Sequence, residues 1–328
     1  MINYGIIGFG LHAVKRLMPG FALAKNCRVT ALSRRDLAKA QASARQFDVP
    51  LAFDSTEKLC RSPEVDAVFV ATPNVCHLED VLVGAACGKP ILCEKPMAIN
   101  ADQCRQMIEA ARNAKVLLGV AQVFRFEDST AWFRERVAAG NVGKPVFARS
   151  EFSFRVDRTH PRTWINDPAI AGGGPVSDVG VHCIDALRFI LQDEVLRVSG
   201  RQIAGKPGGV EAGAALLLEF SGGTLATVTV SFRAQYRTPL ELVGETGILR
   251  AEDALNVDRP IQLELRRGEV VETNTVSNHL AYARQVDAFA AAVEGKAEFA
   301  IPGEEGWRNQ QILDAAYRSM KSGKTENV

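Results

Sequence analysis

Tyr4-Gly5-Ile6-Ile7-Gly8-Phe9-Gly10-Leu11-His12-Ala13 is a short apolar run that breaks into a G-x-G-x-x-A turn and then into a helical pattern. Gly8 permits the tight turn, Gly10 lets the backbone approach a pyrophosphate, and the small Ala13 allows close packing of helix on strand. The leading N–H groups of a helix attract anions, so a phosphate belongs at this helix N-terminus. An isolated match to the pattern is weak. Its place between a strand and a helix, with further units of the same kind behind it, makes it a dinucleotide-binding turn.

Those further units fill the first 122 residues. Strand-like runs at 4–7, 28–33, 51–53, 67–71, 91–93 and 116–121 alternate with helical patterns at 36–47, 75–88 and 101–113. That alternation predicts a parallel Rossmann sheet with helices on both faces. Pro19-Gly20 predicts a break or kink in the first helix. Beyond residue 122 come a helix near 130–139, strands at 146–154, 214–220, 224–232 and 240–243 with a Ser221-Gly222-Gly223 turn, and helices at 279–293 and 303–320. The expected fold class is α/β: a Rossmann domain over 1–122 and an α+β domain over 123–328 with a large, mostly antiparallel open sheet. The last helix, 303–320, can pack back on the first domain.

At 328 residues the chain has room for about two domains. Its 39 Lys+Arg against 38 Asp+Glu leave a net charge of +1, which gives no global reason to expect nucleic acid or an anionic membrane as partner. No run reaches the roughly 20 apolar residues of a spanning helix. The first residues lack a basic leader pattern, so the expected location is cytoplasmic. Seven cysteines without a C-x-x-C pair read as reduced core thiols, and no metal site is expected.

Where a carboxylate would select NAD, at the end of the second strand, the chain reads Ser33-Arg34-Arg35-Asp36. Ser33 can hydrogen-bond a 2′-phosphate and an arginine can grip it bidentately, so NADP is predicted ahead of NAD. The alternative makes both arginines the solvated start of the next helix, with Asp36 serving NAD. Glu94-Lys95-Pro96 stands at the end of the fifth strand, where open sheets place ligands; the chain is free to form a cis peptide at Pro96. A surface lysine in a turn would satisfy the same short pattern. Gly172-Gly173-Gly174 leads into a helical stretch in which Asp178, His182 and Asp185 make one polar stripe on an apolar helix. Such a stripe suits chemistry, and a hydrogen-bonded core histidine with structural carboxylates suits it too.

Together, the turn at Gly8, Ala71-Thr72-Pro73-Asn74 followed by His77, Glu94-Lys95-Pro96 and the segment from Gly172 to Asp185 resemble the glucose–fructose oxidoreductase/inositol dehydrogenase/MocA-like family over nearly the whole chain. The resemblance implies an NAD(P)-dependent oxidoreductase acting on CH–OH groups of sugars, polyols or their derivatives, assembled as a homodimer or homotetramer through the second domain's sheet. It implies Lys95, Asp178 and His182 as catalytic residues. For the cofactor it implies Gly8, Phe9, Gly10, Leu11, His12, Ser33, Arg34, Arg35, Ala71, Thr72, Pro73, Asn74, His77, Glu94, Lys95 and Trp164. The family often has Trp-Arg where this chain has Trp164-Ile165, which raises Arg162 and Arg125 as substitutes. Asp185 is assigned to structure, and substrate choice to 122–130, 155–170 and 233–237. Two other functions fit the same fold: NAD-dependent glycoside hydrolysis by transient oxidation, and non-catalytic dinucleotide sensing.

Overall fold

The structure, a computed structural model, describes residues 1–157, 160 and 162–328. Two compact units emerge: Met1–Gln122 with Tyr282–Gln310, and Val123–Ala281 with Gln311–Val328. The chain thus divides in more places than the single cut expected near residue 122. Tyr282–Gln310 joins the first unit because it completes that core. Tyr4 Oη donates to the Val286 carbonyl at 3.0 Å, and the Val120 N–H donates to the Ile301 carbonyl at 2.9 Å. Phe289 and Phe299 meet edge to face over Gly119, where a Cβ would come within 2.6 Å of the Phe299 ring.

In the first unit, β1 (Ile2–Ile7), β2 (Cys27–Ser33), β3 (Leu51–Phe53), β4 (Ala67–Val70), β5 (Ile91–Glu94) and β6 (Leu118–Ala121) form a parallel sheet in the order β3-β2-β1-β4-β5-β6. Its central strands are buried on both faces, as their unbroken apolar runs require. Sequence order reverses between β1 and β4, so a crevice belongs at the carboxyl ends there. The first helix is not broken at Pro19-Gly20. A wide π-turn, Ala13–Leu17, runs directly into an α-segment, Met18–Leu23, so Pro19, which has no N–H to donate, follows immediately on a turn whose bonding pattern already departs from the α-helix. Gly20 serves packing instead: a Cβ there would lie 2.6 Å from that of Tyr282.

The second unit holds a nine-stranded sheet in the order β14-β13-β12-β11-β7-β10-β9-β8-β15. Its strands are β7 (Pro145–Ser153), β8 (Val195–Ile203), β9 (Gly213–Phe220), β10 (Leu225–Ser231), β11 (Leu240–Gly244), β12 (Ile248–Ala251), β13 (Pro260–Arg267), β14 (Val270–Ser277) and β15 (Glu326–Asn327). Only the β7–β10 pair is parallel among them. Along β7 the inner face buries Ala148 and Ser150 while the outer face exposes Phe147 and Arg149. Helix Val181–Leu191 is buried almost throughout. Among the described residues no helix is long and apolar enough to cross a membrane.

Candidate active site

The first unit gathers its singled-out residues at the carboxyl ends of β1, β2, β4 and β5. Gly8 has φ +81°, and a Cβ there would lie 2.5 Å from Thr72 Cγ2 and 2.8 Å from the Thr72 backbone nitrogen. Glycine is therefore required at that position. Gly10 differs: a Cβ would meet only the Gly8 carbonyl, at 3.8 Å, so this side of the turn has room for a phosphate. The Phe9 side chain is buried against Phe47, and only its backbone borders the turn. Leu11 and His12 are half-buried at the helix start.

At the end of β2, Ser33 is buried and its carbonyl accepts the Phe9 N–H at 2.9 Å. Arg34 is half-buried, its Nη1 donating to Ser43 Oγ at 2.9 Å, and Arg35 is exposed. Asp36 caps helix Leu37–Phe47: its carboxylate accepts the Lys39 N–H at 3.1 Å, a bond that lowers its pKa.

At the ends of β4 and β5, Asp80 accepts the hydroxyls of Thr72 (2.7 Å) and Thr56 (2.5 Å). Ala71 and Pro73 are half-buried and Asn74 is buried. The His77 ring is fully enclosed, with Nε2 2.9 Å from the Thr72 carbonyl and Nδ1 3.0 Å from the Pro96 carbonyl. Burial pushes its pKa below the ordinary histidine value, and a neutral imidazole donates only once, so one contact at a time is a true hydrogen bond. With both nitrogens turned to main-chain carbonyls, His77 braces two loops and its ring is closed to a ligand. This corrects the expectation of a direct cofactor contact. Glu94 lies 2.8 Å from His12 Nε2 and accepts the Lys95 N–H at 3.1 Å. Burial alone would raise its pKa, but His12 and Lys95 hold it below the usual value. Lys95 is half-buried, and the Lys95–Pro96 peptide is cis.

The second unit holds Asp178, His182, Asp185 and Trp164. Gly172 turns left-handed at φ +73°, and a π-turn, Val176–Gly180, leads into helix Val181–Leu191. Gly173 and Gly174 are glycines for lack of room: a Cβ would lie 2.1 Å from Tyr317 Oη or 2.4 Å from the Glu211 carbonyl. The Glu211 carboxylate accepts the N–H groups of Gly174 and Val176, each at 3.0 Å, and the Tyr317 hydroxyl at 3.0 Å. Burial raises its pKa although these bonds pull it down.

Asp178 receives a bidentate fork from Arg162, at 3.0 and 3.1 Å, and the Arg162 guanidinium stands 5.9 Å over the Phe154 ring. His182 stands against two mutually stacked aromatic rings, Phe124 at 4.3 Å and Phe152 at 6.1 Å. Asp185 is gripped by Arg125 at 2.7 and 2.9 Å. Arg162 and Arg125, raised together as substitutes for the missing Trp-Arg arginine, thus hold different carboxylates. Ile165 is buried beside the half-buried Trp164. Arg158, Thr159 and Pro161, within the 155–170 segment assigned to substrate choice, lie outside the described residues.

Sequence reasoning missed Phe124, Phe152 and Glu211. The Phe152-x-Phe154 alternation on a strand was a readable signal for an aromatic wall. Glu211 carries none, because its partners lie more than 30 residues away. No group of three His, Cys, Asp or Glu side chains among the described residues could hold a metal ion.

Residues 2–122 match the oxidoreductase family with an NAD-binding Rossmann fold, and residues 130–250 match the GFO/IDH/MocA C-terminal domain. A D-xylose 1-dehydrogenase (NADP(+)) of Haloferax volcanii is 32% identical, covering 98% of each chain. The chain belongs to the GFO/IDH/MocA oxidoreductase family. Another relative, a 1,5-anhydro-D-fructose reductase of Ensifer adhaerens, is 30% identical over 93% of this chain and 92% of its own. Among solved structures, the aldose-aldose oxidoreductase from Caulobacter crescentus, complexed with glycerol, superposes with a TM-score of 0.92 at 24% identity, covering 100% of this chain and 99% of that one. That likeness speaks for the GFO/IDH/MocA fold. This chain is therefore an oxidoreductase with an NAD(P)-binding Rossmann unit.

Proposed function

We propose that this oxidoreductase prefers NADP(H) and moves hydride between nicotinamide C4 and a secondary carbinol or carbonyl carbon of a sugar, polyol or sugar derivative. The observation that carries the cofactor preference is the end of β2: Ser33, Arg34 and Arg35 stand there, and the nearest carboxylate, Asp36, is committed to capping the next helix. An arginine that Ser43 already orients needs less ordering to receive a 2′-phosphate. The NADP(+) xylose dehydrogenase and the anhydrofructose reductase support the reading of cofactor and substrate class.

The bound nicotinamide supplies the hydride acceptor or donor. Around it the chain's own groups divide the work. The backbone of Gly8–His12 would hold the pyrophosphate, and the 71–74 segment would hold the nicotinamide ribose. Lys95 donates a hydrogen bond to the reacting oxygen and stabilises its developing negative charge. His182 takes the hydroxyl proton in oxidation and returns it to the carbonyl oxygen in reduction. Asp178, held in place by the Arg162 fork, accepts hydrogen bonds from substrate hydroxyls. Trp164 would supply an aromatic face for the cofactor.

The protein works as a homo-oligomer through the outer face of the nine-stranded sheet. There Phe147, Leu217, Leu225 and Val243 line a hollow of about 240 Å³, with Phe147 55% exposed. An apolar patch of this kind is uncommon on a lone subunit.

The deciding experiment is a panel of aldoses, ketoses, anhydro-sugars and inositols read by nicotinamide absorbance with both cofactors. The expected result is turnover with an apparent KM for NADP(H) at least about tenfold below that for NAD(H), lost in Arg34→Ala. A tenfold preference for NAD overturns the cofactor assignment. Lys95→Ala and His182→Ala should each lower kcat by about 10²-fold or more while NADPH still binds, and near-normal turnover in either removes that residue from the mechanism.

A further inference from the structure

We infer that the Arg125–Asp185 ion pair is a positioning device for His182, fixing the aromatic wall against which that imidazole stands; the inference rests on the proton-transfer role proposed for His182.

The geometry is local to the second unit. Phe124 and Arg125 are neighbours in the short 3₁₀ turn Val123–Phe126. The Phe124 ring lies 4.3 Å from the His182 ring, and Arg125 Nη2 and Nε lie 2.7 and 2.9 Å from the two Asp185 oxygens. Asp185 follows His182 by three residues in helix Val181–Leu191, so both side chains share one side of it. The turn is therefore fastened to the site helix at two adjacent points, ring on ring and fork on carboxylate. The second ring of the wall, Phe152, stacks on Phe124 at 6.2 Å and belongs to β7, which is paired along both edges. A four-residue 3₁₀ turn has no such ladder. The Thr130 hydroxyl holds the Phe124 carbonyl and Phe152 stacks on the Phe124 ring, while the fork ties the turn to the helix that carries His182.

The pair is enclosed: the Arg125 side chain is 10% exposed and that of Asp185 1%. A guanidinium with two parallel hydrogen bonds fixes an angle as well as a distance, which an ammonium does not. The row continues from Asp185 to Arg188 at 4.0 Å and from Arg188 to Glu194 at 2.8 Å, alternating in sign. The charged groups on the elements about His182 are thus Arg125, Asp185 and Arg188 on one side and Asp178 with Arg162 on the other. A merely structural role would spread over the whole row. A positioning role is concentrated at the Arg125 end.

The test follows the His182 Cε1–H resonance against pH in the full-length protein without ligand. The chain has five histidines, and His182→Gln identifies the signal. Arg125→Lys and Asp185→Asn should displace the resonance, through the altered ring current of Phe124, and move its midpoint by about half a pH unit or more. Glu194→Gln, which opens the far end of the row, should leave both unchanged. Kd for NADPH should stay within about twofold in all three. Should Asp185→Asn fail to fold, Arg125→Lys, which keeps the charge, decides alone. A wild-type titration in folded Arg125→Lys overturns the inference, as does an equal effect of Glu194→Gln. If His182→Ala turns over normally, the proton-transfer reading fails by itself, whereas the resonance still reports whether the pair sets the ring.

Discussion

His12 Nε2 lies 2.8 Å from Glu94 Oε1, so the helix after β1 is joined to the end of β5 by a charge-assisted hydrogen bond. The dinucleotide turn and the Glu94-Lys95-Pro96 segment are thereby held to one another before any ligand arrives. His12 occupies a variable place in the G-x-G-x-x-A pattern, so the motif alone does not demand it.

Glu94→Gln should weaken this link by about 1–2 kcal/mol at pH 7, read as a lower urea midpoint. The Glu94 carboxyl is held below its ordinary value of 4.5, so acid protonates the unfolded chain first. Its stabilisation is then fully present above about pH 4.5 and is lost as pH falls through the folded-state value. The difference between wild type and variant should accordingly shrink in acid. Equal midpoints at pH 7 would show that the bond contributes nothing.

Glu127 presents the opposite case. Its carboxyl is buried, Oε1 has no hydrogen-bond partner among the described residues, and burial raises its pKa well above 4.5. Here the folded protein binds the proton more tightly, so stability falls as pH rises from about 4.5 towards the folded value and levels off beyond it. Glu127→Gln keeps the shape without the charge. It should be at least as stable as wild type at pH 8, by about 1 kcal/mol or more, and should lose this part of the pH dependence. A variant less stable than wild type at pH 8 would contradict the burial argument.

The six strands of the first unit were legible because each is an apolar run set off by turn residues and followed by a helical pattern. The second unit was harder to read. β13, Pro260-Ile261-Gln262-Leu263-Glu264-Leu265-Arg266-Arg267, buries Ile261, Leu263 and Leu265 but turns a polar face outward, and β14 is almost wholly exposed. Register against neighbours, rather than local hydrophobicity, makes these strands. The π-turns at Ala13–Leu17 and Val176–Gly180 escape any pattern of period 3.6, since each differs from α-helix by about one residue. Among candidate site residues, the motifs at Gly8, Lys95 and His182 stood out locally. Arg162 and Arg125 were raised from the sequence, but which carboxylate each grips, Asp178 and Asp185 respectively, is set by tertiary contacts that one sequence does not show.

Two glycines in the dinucleotide turn separate folding from binding. Gly8→Ala puts a methyl group against the Thr72 backbone at a left-handed φ, so it should destabilise the protein by about 2 kcal/mol or more. Gly10→Ala meets only a carbonyl at 3.8 Å and should leave the melting temperature close to wild type while weakening NADPH binding about tenfold or more. Thermal melting and NADPH titration of both variants check the pair. Intact NADPH affinity in Gly10→Ala would mean that the phosphate does not pass there.

On the outer sheet face, register places Phe147 beside Leu225 on one side and Val243 on the other, and Leu217 beside Thr227. The apolar side chains are therefore contiguous across β11, β7 and β10, with Leu217 of β9 lining the same hollow, and Arg149 stands beside both Glu241 and Thr227 at the margin. A face with an apolar centre and paired opposite charges can meet a copy of itself about a twofold axis. Phe147→Glu with Leu225→Lys should reduce the mass measured by light scattering to that of one chain, with NADPH affinity unchanged. An assembly that survives both charges would have to use another surface, and the exposed face would need a different partner.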